Sequence, residues 1–141
     1  MTTLEEKLES RISQIDIKVR SYHIDSYNHV NNMRYMEFLE EARWSHFENN
    51  SSLKVSQEEE TSFVIANYNI NYKYPAMMNQ TLEVKTKVDK IGSSSVVFHQ
   101  EMFIKETGKK ALDAHVTLVA FDIKTQRPKR ISDRIKDELV K

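Results

Sequence analysis

The chain has 141 residues, no cysteine, and equal numbers of acidic and basic side chains, 21 of each. This length fits one domain, and the zero net charge argues against a nucleic-acid-binding protein, which would carry a basic excess. The lack of cysteine excludes disulfides, thiolate metal ligands and a cysteine nucleophile. With only two glycines and two prolines, the sequence has no glycine-rich phosphate or dinucleotide loop.

The sequence predicts neither a membrane-spanning helix nor a targeting peptide. No apolar run approaches the roughly 20 residues that a membrane-spanning helix requires. The first residues, Met-Thr-Thr-Leu-Glu-Glu, are acidic, whereas secretory and transit peptides are basic. We therefore expect a cytoplasmic protein with a single domain over residues 1–141 and a core at about 15–122.

Short helices are predicted at both ends of this domain. At 2–11, Thr2 or Thr3 precedes a glutamate by three residues, which is the capping-box pattern. At 132–140, Ser132 is the predicted N-cap of the second helix.

The first strand is predicted at 15–19, where apolar and charged side chains alternate. A polar segment at 22–31 follows it and is expected to be a loop. A second segment, 49–60, is polar and acidic, ends in three glutamates, and is also expected to be an exposed loop.

A long helix is predicted between these loops, from Met33 to about Glu48. Asn31 and Asn32 are both suitable N-caps for it. Apolar side chains cover more than half of its helical wheel, so other elements are expected to enclose it.

Four strand patterns complete the domain, at 62–74, 81–90, 94–105 and 110–122. We expect them to form an antiparallel meander and alternate apolar side chains to share one face; in the first strand these are Val64, Ala66, Tyr68, Ile70, Tyr72 and Tyr74. The order of elements predicts an α+β fold in which one antiparallel sheet wraps around the long helix. The open sheet edges predict a homodimer or homotetramer.

Asp25 and His29 lie in the loop that leads into the long helix. The free N–H groups and the positive dipole at a helix start stabilise a developing oxyanion. A carboxylate there can act as general base or nucleophile, and an imidazole can orient or protonate the reacting groups. From the residues alone, a catalytic loop and a purely structural capping loop both remain open.

The segment from Asp25 to Tyr35, Asp-Ser-Tyr-Asn-His-Val-Asn-Asn-Met-Arg-Tyr, followed by Glu-Ala-Arg at 41–43, resembles the signature of hotdog-fold acyl thioesterases of the 4-hydroxybenzoyl-CoA thioesterase type. It is also similar to the Asp-x-Asn-x-His-Val-Asn-Asn segment of plant-type acyl-carrier-protein thioesterases, although Tyr27 replaces an asparagine. Asn28 stands where short bacterial relatives usually have glycine. The segment 70–76 resembles the end of the family's second strand.

The resemblance implies a hotdog fold and hydrolysis of an acyl-CoA or acyl-carrier-protein thioester, with no cofactor. It places Asp25 on the catalytic carboxylate, His29 on an orienting or polarising histidine, and the amide of Asn32 on an oxyanion donor. Substrate-binding candidates are the motif and strand-end residues Asn31, Tyr35 and Tyr74. A basic C-terminal segment adds Arg127, Lys129 and Arg130, which could bind the phosphates of the carrier; a solvated tail is the alternative that remains open for this segment.

Two other functions remain open, a non-catalytic acyl-CoA-binding module and an enoyl hydratase or dehydratase. The carboxylate near the helix start favours hydrolysis, because a binding module does not need it beside a thioester. Glu37, Glu40 and Glu41 on the helix are expected to be solvated or ion-paired. His99 and His115 lie singly on two strands without ligand spacing, so no metal site is predicted.

Overall fold

A computed structural model describes residues 3–141 of the protein. Its elements in chain order are α1 (Leu4–Ser10), β1 (Ser13–Lys18), a 3-10 turn (Ser21–His23), α2 (Asn32–Glu48), α3 (Ser52–Glu58), β2 (Thr61–Tyr72), β3 (Thr81–Ile91), β4 (Ser95–Ile104), β5 (Lys110–Asp122) and α4 (Asp133–Leu139). In this part of the chain no helix has the length and apolarity needed to cross a bilayer.

The five strands form one antiparallel sheet in the order β1-β3-β4-β5-β2. The strands β3, β4 and β5 meander as predicted. The predicted pairing of β2 with β3 is wrong, because β2 pairs with β5 at the opposite edge. The connection 73–80 is too long for a tight hairpin and carries the chain from one edge strand to the interior of the sheet.

One face of the sheet is buried, and its residues follow the predicted alternation in the last three strands. They are Leu82, Val84, Thr86 and Val88 of β3, Val96, Phe98, Gln100, Met102 and Ile104 of β4, and Leu112, Ala114, Val116, Leu118 and Ala120 of β5. Gln100 is the polar residue among the five of β4, and it is fully buried.

The strand β2 departs from the predicted single apolar face. Its register against β5 shifts between Ile65 and Asn67, which is a β-bulge that turns every later side chain to the other face. Val64 therefore points away from the face on which Tyr68 packs, and it is exposed. The expectation of one continuous apolar face from 64 to 74 is wrong for this reason.

The helix α2 lies on the buried face of the sheet, against β1 and β3. It begins where predicted, because Asn31 is its N-cap and accepts a hydrogen bond at Oδ1 from the amide of Met33, 2.9 Å away. On the side of the helix that faces the sheet Leu39 is fully buried, whereas Trp44 on the other side is 47% exposed. The sheet therefore covers one side of the helix, and the predicted enclosure is wrong on the solvent side.

The predicted loop 49–60 contains the helix α3. Asn50 Oδ1 accepts hydrogen bonds from the amide and the hydroxyl of Ser52, at 2.9 and 2.6 Å, and so starts the helix. Val55 and Ser56 are buried on its inner side. The sequence did not predict α3 because small serines, and not a run of large apolar residues, form much of its buried side.

The terminal helices have the predicted caps. Thr3 and Glu6 form a capping box at the start of α1, while Thr2, the other predicted cap, lies outside the described residues. Ser132 caps α4 and accepts a hydrogen bond from the amide of Ile135 at 3.2 Å.

Candidate active site

The carboxylate of Asp25 is held by the backbone of its own loop. Its Oδ1 accepts hydrogen bonds from the amides of Tyr27, at 2.8 Å, and His29, at 3.3 Å, which is an Asx turn. Asn28 has a φ of 63°, a left-handed conformation that asparagine tolerates, so the turn forms without a glycine. Oδ2 accepts no hydrogen bond from residues 3–141 and is free to act on another group.

The loop is fastened to the segment that follows β2. The amide of Val30 donates to the carbonyl of Ala76 at 2.9 Å, and His29 forms a bridge with Met77. This contact joins the two sequence segments that carry the family resemblance, although α2, α3 and β2 separate them along the chain.

The amide of Asn32 at the start of α2 is an unused backbone donor. The side chain of Asn31 satisfies the amide of Met33, and its carbonyl accepts from the amide of Arg34 at 2.9 Å. The amide of Asn32 donates to no acceptor within the described range. It lies at the positive end of a 17-residue helix, where a developing negative charge is stabilised.

A cavity of about 210 Å³ brings these groups together. Asp25 and Asn32 both contribute to it, and its walls also include His29, Val30, Tyr35, Tyr72, Lys73, Tyr74, Pro75 and Ala111. Five of the nine predicted site residues therefore meet in one place: Asp25, His29, Asn32, Tyr35 and Tyr74.

The two tyrosines have different environments in this cavity. Tyr35 is buried, and its hydroxyl oxygen accepts a hydrogen bond from the amide of Ala76 at 3.0 Å. Burial raises the pKa of this phenol, so it stays neutral and supports the wall. Tyr74 is 42% exposed, and the ammonium of Lys109 lies 4.0 Å from its ring centre.

The remaining predicted site residues do not line this cavity. Asn31 is exposed and acts as the helix cap. Lys129 lies beside α3, where its Nζ donates to the carbonyl of Glu59 at 2.7 Å and pairs with Asp122 at 3.4 Å. Arg127 and Arg130 are exposed on the same C-terminal segment. A phosphate-binding role for these three basic residues stays a prediction.

A cluster of titratable groups that the sequence spacing did not reveal lies on the outer face of the sheet. Cross-strand pairing stacks His99 on His115, and the ligand atoms of His99, Glu101 and Asp113 all lie within 4.8 Å of one another. Strand pairing therefore brings together groups that lie far apart in the sequence. However, the Lys110 ammonium bonds Glu101 at 2.7 Å and Asp113 at 2.8 Å, so a lysine already supplies the positive charge.

Sequence reasoning assigned no role to Arg43, yet the structure buries it. It is 4% exposed and lines a second cavity of about 340 Å³ between α2, α3 and β2. Its spacing from Leu39 and His46, both fully buried, places all three on one helical face. That spacing was the available signal for its burial.

Comparisons with known proteins identify the family of the chain. The model of the Thioesterase-like superfamily matches residues 19–139. The chain belongs to this superfamily. It is 38% identical over 126 residues to the long-chain acyl-CoA thioesterase FadM of Escherichia coli, a match that covers 89% of this chain and 96% of FadM.

Solved structures give the same result for the fold. The "Probable Thioesterase" YbaW from Escherichia coli superposes with a TM-score of 0.84 at 37% identity, over 91% of this chain and 98% of that one. The 12:0-ACP thioesterase from Umbellularia californica has a TM-score of 0.82 at 16% identity, over 90% of this chain and 49% of the plant enzyme. The predicted α+β hotdog fold and thioester hydrolase class are confirmed.

Proposed function

We propose that the protein hydrolyses acyl-CoA thioesters in the cavity that Asp25 and Asn32 line, with Asp25 as the catalytic carboxylate. The observation that carries the proposal is the pairing of two unused groups on one cavity. One is Asp25 Oδ2, which can act on water or on the thioester, and the other is the Asn32 amide, which can donate a hydrogen bond to an oxyanion. A carboxylate opposite an oxyanion donor is the arrangement that acyl transfer needs.

In this proposal the thioester carbonyl oxygen points at the amide of Asn32. Asp25 Oδ2 either takes a proton from an attacking water or attacks the carbonyl carbon itself, and the carbonyl oxygen becomes negative in both cases. The carbon–sulfur bond then breaks, and the sulfur leaves as a free thiol with a proton that comes from the consumed water. If water is the attacking group, Asp25 takes that proton and passes it to the sulfur, and the water oxygen is already part of the carboxylic acid. If Asp25 attacks, an anhydride between Asp25 and the acyl group forms first, and water then cleaves it, which releases the acid, restores the Asp25 carboxylate and supplies the proton of the thiol.

His29 has a supporting role in this scheme. It holds Asp25 through its backbone amide and is one of the residues that line the cavity, and its imidazole makes no hydrogen bond to residues 3–141. The ring is therefore available to hold the acyl oxygen or to protonate the leaving sulfur.

An apolar acyl group fits the surroundings of this cavity. Exposed apolar side chains lie on the segments that form its rim, namely Tyr27, Tyr72, Tyr74, Met77 and Met78. The relative FadM is named for long-chain acyl-CoA, and we propose the same class here. Arg127, Lys129 and Arg130 are proposed to bind the phosphates of the carrier.

A homodimer or homotetramer is part of the proposal. β2 is one of the two edge strands of the sheet, and its exposed apolar side chains include Val64, Ile65 and Tyr72. An unpaired edge of this kind favours pairing with a second copy. Light scattering should give at least twice the mass of one chain, and a single species with the mass of one chain would contradict it. The predicted cytoplasmic location belongs to the same proposal, and cell fractionation tests it.

The decisive experiment for the function is thiol release from a series of acyl-CoAs, from acetyl-CoA to palmitoyl-CoA, read with a colorimetric thiol reagent. We expect kcat/KM to rise with chain length. Turnover of an enoyl-CoA without thiol release would instead indicate a hydratase. Saturable acyl-CoA binding with no turnover would indicate a binding module.

A further inference from the structure

The hydroxyl group of Tyr35 has a hydrogen that no residue in the described part of the chain accepts. The side chain is buried, and its oxygen accepts a hydrogen bond from the amide of Ala76 at 3.0 Å. A phenol can also donate one hydrogen bond, yet Tyr35 donates to no acceptor among residues 3–141. A buried donor without a partner is unfavourable, so this O–H group favours a ligand that brings an acceptor.

The hydroxyl group lies close to the start of α2. Tyr35 follows Asn32 by three residues, so the two share one face of the helix, and helical side chains lean toward the N-terminus. Tyr35 and Asn32 both line the cavity that contains Asp25. The hydroxyl oxygen is bonded to Ala76, which directly follows Pro75, another residue of the cavity wall. The geometry therefore places the phenol near the unused amide of Asn32.

The orientation of the phenol is fixed before any ligand binds. Its ring packs edge-on against Phe38, with centres 6.3 Å apart, and tilted against Tyr72 at 5.6 Å. The amide of Ala76 holds the oxygen, and a donor on the oxygen of a hydroxyl group also strengthens that group as a donor. A fixed donor of this kind stabilises a developing charge without the cost of reorganisation.

Two observations distinguish this hydroxyl group from others at the cavity. Burial is the main cause of the raised pKa of Tyr35, and the negative charge of Asp25 adds to it, so the phenol keeps its hydrogen at neutral pH. The hydroxyl group of Tyr72, on the same cavity, already donates to the carbonyl of Asn32 at 3.4 Å. Of these two buried or half-buried phenols, Tyr35 is the one with a hydrogen to give.

We propose that the hydroxyl group of Tyr35 donates a hydrogen bond to the thioester carbonyl oxygen, as a second donor beside the amide of Asn32. This inference rests on the proposed hydrolysis. Both hydrogen bonds strengthen as the carbonyl oxygen becomes negative, and this preferential stabilisation of the transition state raises the rate. The phenol keeps its proton throughout, and no covalent bond to Tyr35 forms or breaks. Tyr35 is then a catalytic residue and not only a part of the cavity wall.

The first test is kinetic. Tyr35→Phe should lower kcat for the best acyl-CoA by about 10²-fold with KM little changed, as expected for the loss of one donor to an oxyanion. Tyr22→Phe makes the same chemical change at a tyrosine that is 67% exposed and should leave kcat and KM unaltered. A folded Tyr35→Phe protein with wild-type kcat would overturn the proposal and leave the hydrolytic function in place.

The second test separates a contact with the carbonyl from a structural role. It uses two stable analogues of decanoyl-CoA: a ketone in which a methylene replaces the sulfur, and the decyl thioether of CoA, which lacks the carbonyl. In calorimetric titrations of the full chain, Tyr35→Phe should weaken ketone binding about three- to tenfold, as expected for one hydrogen bond, and leave thioether binding unchanged. Equal weakening of both ligands, or of neither, would overturn the proposal.

This comparison requires no turnover, so it fails or succeeds separately from the proposed function. A wild-type protein that releases no thiol would refute the hydrolysis, whereas selective loss of ketone binding in Tyr35→Phe would still establish the contact.

A third variant keeps the test valid if Tyr35→Phe does not fold. 3-Fluorotyrosine at position 35 keeps the acceptor for the Ala76 amide, and its more acidic phenol is a stronger donor. At neutral pH the ratio of ketone affinity to thioether affinity should therefore rise above that of the wild type. An unchanged or lower ratio would overturn the proposal.

Discussion

Acid should destabilise this protein through His46, a fully buried residue of α2. Its Nδ1 lies 2.6 Å from the hydroxyl of Ser13, its ring packs edge-on against Phe98, and its Nε2 has no hydrogen-bond partner among residues 3–141. Burial, together with the positive charge of Arg11, lowers the pKa of His46 from 6.5 to about 4. The folded state therefore holds the neutral imidazole.

The size of the effect follows from this pKa. Above pH 6.5 the ring is neutral in both states, so it adds no pH dependence to the free energy of unfolding. Between pH 6.5 and about 4 only the unfolded state takes up the proton, and stability falls as the pH falls. The total loss is about 3 kcal/mol, because each pKa unit corresponds to about 1.4 kcal/mol. Burial also lowers the pKa of His23, which adds to the loss in the same direction.

Urea unfolding at a series of pH values between 7 and 4 measures this loss. His46→Asn keeps a polar atom near Ser13 and cannot titrate, so it should be less stable at pH 7 but should lose distinctly less stability on acidification. His115→Asn, on the outer face of the sheet with 42% of its side chain exposed, is the matched control and should keep the wild-type slope. Equal slopes in the wild type and His46→Asn would refute the reasoning.

Three further predictions concern the wall of the candidate active site, the turn at Gly108 and the basic C-terminal segment. Tyr35→Phe removes the acceptor of the Ala76 amide and should cost about 1–3 kcal/mol in urea unfolding; an unchanged midpoint would contradict this role. Gly108→Ala should lower the free energy of unfolding by about 1 kcal/mol, because Gly108 has a φ of +73°, a conformation that L-residues with a side chain disfavour. The added Cβ would meet no atom within 4 Å, so the loss comes from the backbone alone; a gain in stability would contradict this. Replacing Arg127, Lys129 and Arg130 together with alanine should raise KM for acyl-CoA more than it lowers kcat. An unchanged KM at low and high salt would exclude phosphate binding by these three residues.

The regular strands were predictable because one physical rule governs them. In β3, β4 and β5 each second side chain faces α2 or its neighbours, so the apolar alternation gives both the strand and its buried face. In β2 the same rule failed at Ala66, since the bulge between Ile65 and Asn67 leaves no signal in the pattern of apolar residues. The helix α3 was missed because its polar composition resembles that of a loop.

The position of the loop that carries Asp25 was predictable for a different reason, whereas its catalytic role came from the family resemblance and stays a prediction. Its residues are close in sequence, and the helix cap at Asn31 fixes where Asp25 and Asn32 lie relative to each other. The contacts of the Arg43 guanidinium, which donates to Gln100 Oε1 at 3.0 Å and to the hydroxyl of Tyr68 at 2.9 Å, were not predictable, because they depend on which side chains of β2 and β4 face the helix. Besides the spacing of Arg43 on α2, Gln100 was a trace of them in the sequence, as a polar residue at a buried position of a regular strand.

The activity of the Asp25→Asn variant tests the central claim most directly. Asparagine keeps the shape of the side chain but removes the base, so kcat for the best acyl-CoA should fall by about 10²–10⁴ with KM little changed. His29→Ala should cost less, about tenfold to a hundredfold, if the imidazole only orients or polarises. Asp16→Asn makes the same change at a carboxylate on β1, with 44% of its side chain exposed, and should leave kcat unaltered. A folded Asp25→Asn protein with nearly wild-type kcat would contradict the account and would place the catalytic carboxylate elsewhere, with Glu37, Glu40 and Glu41 the next to test.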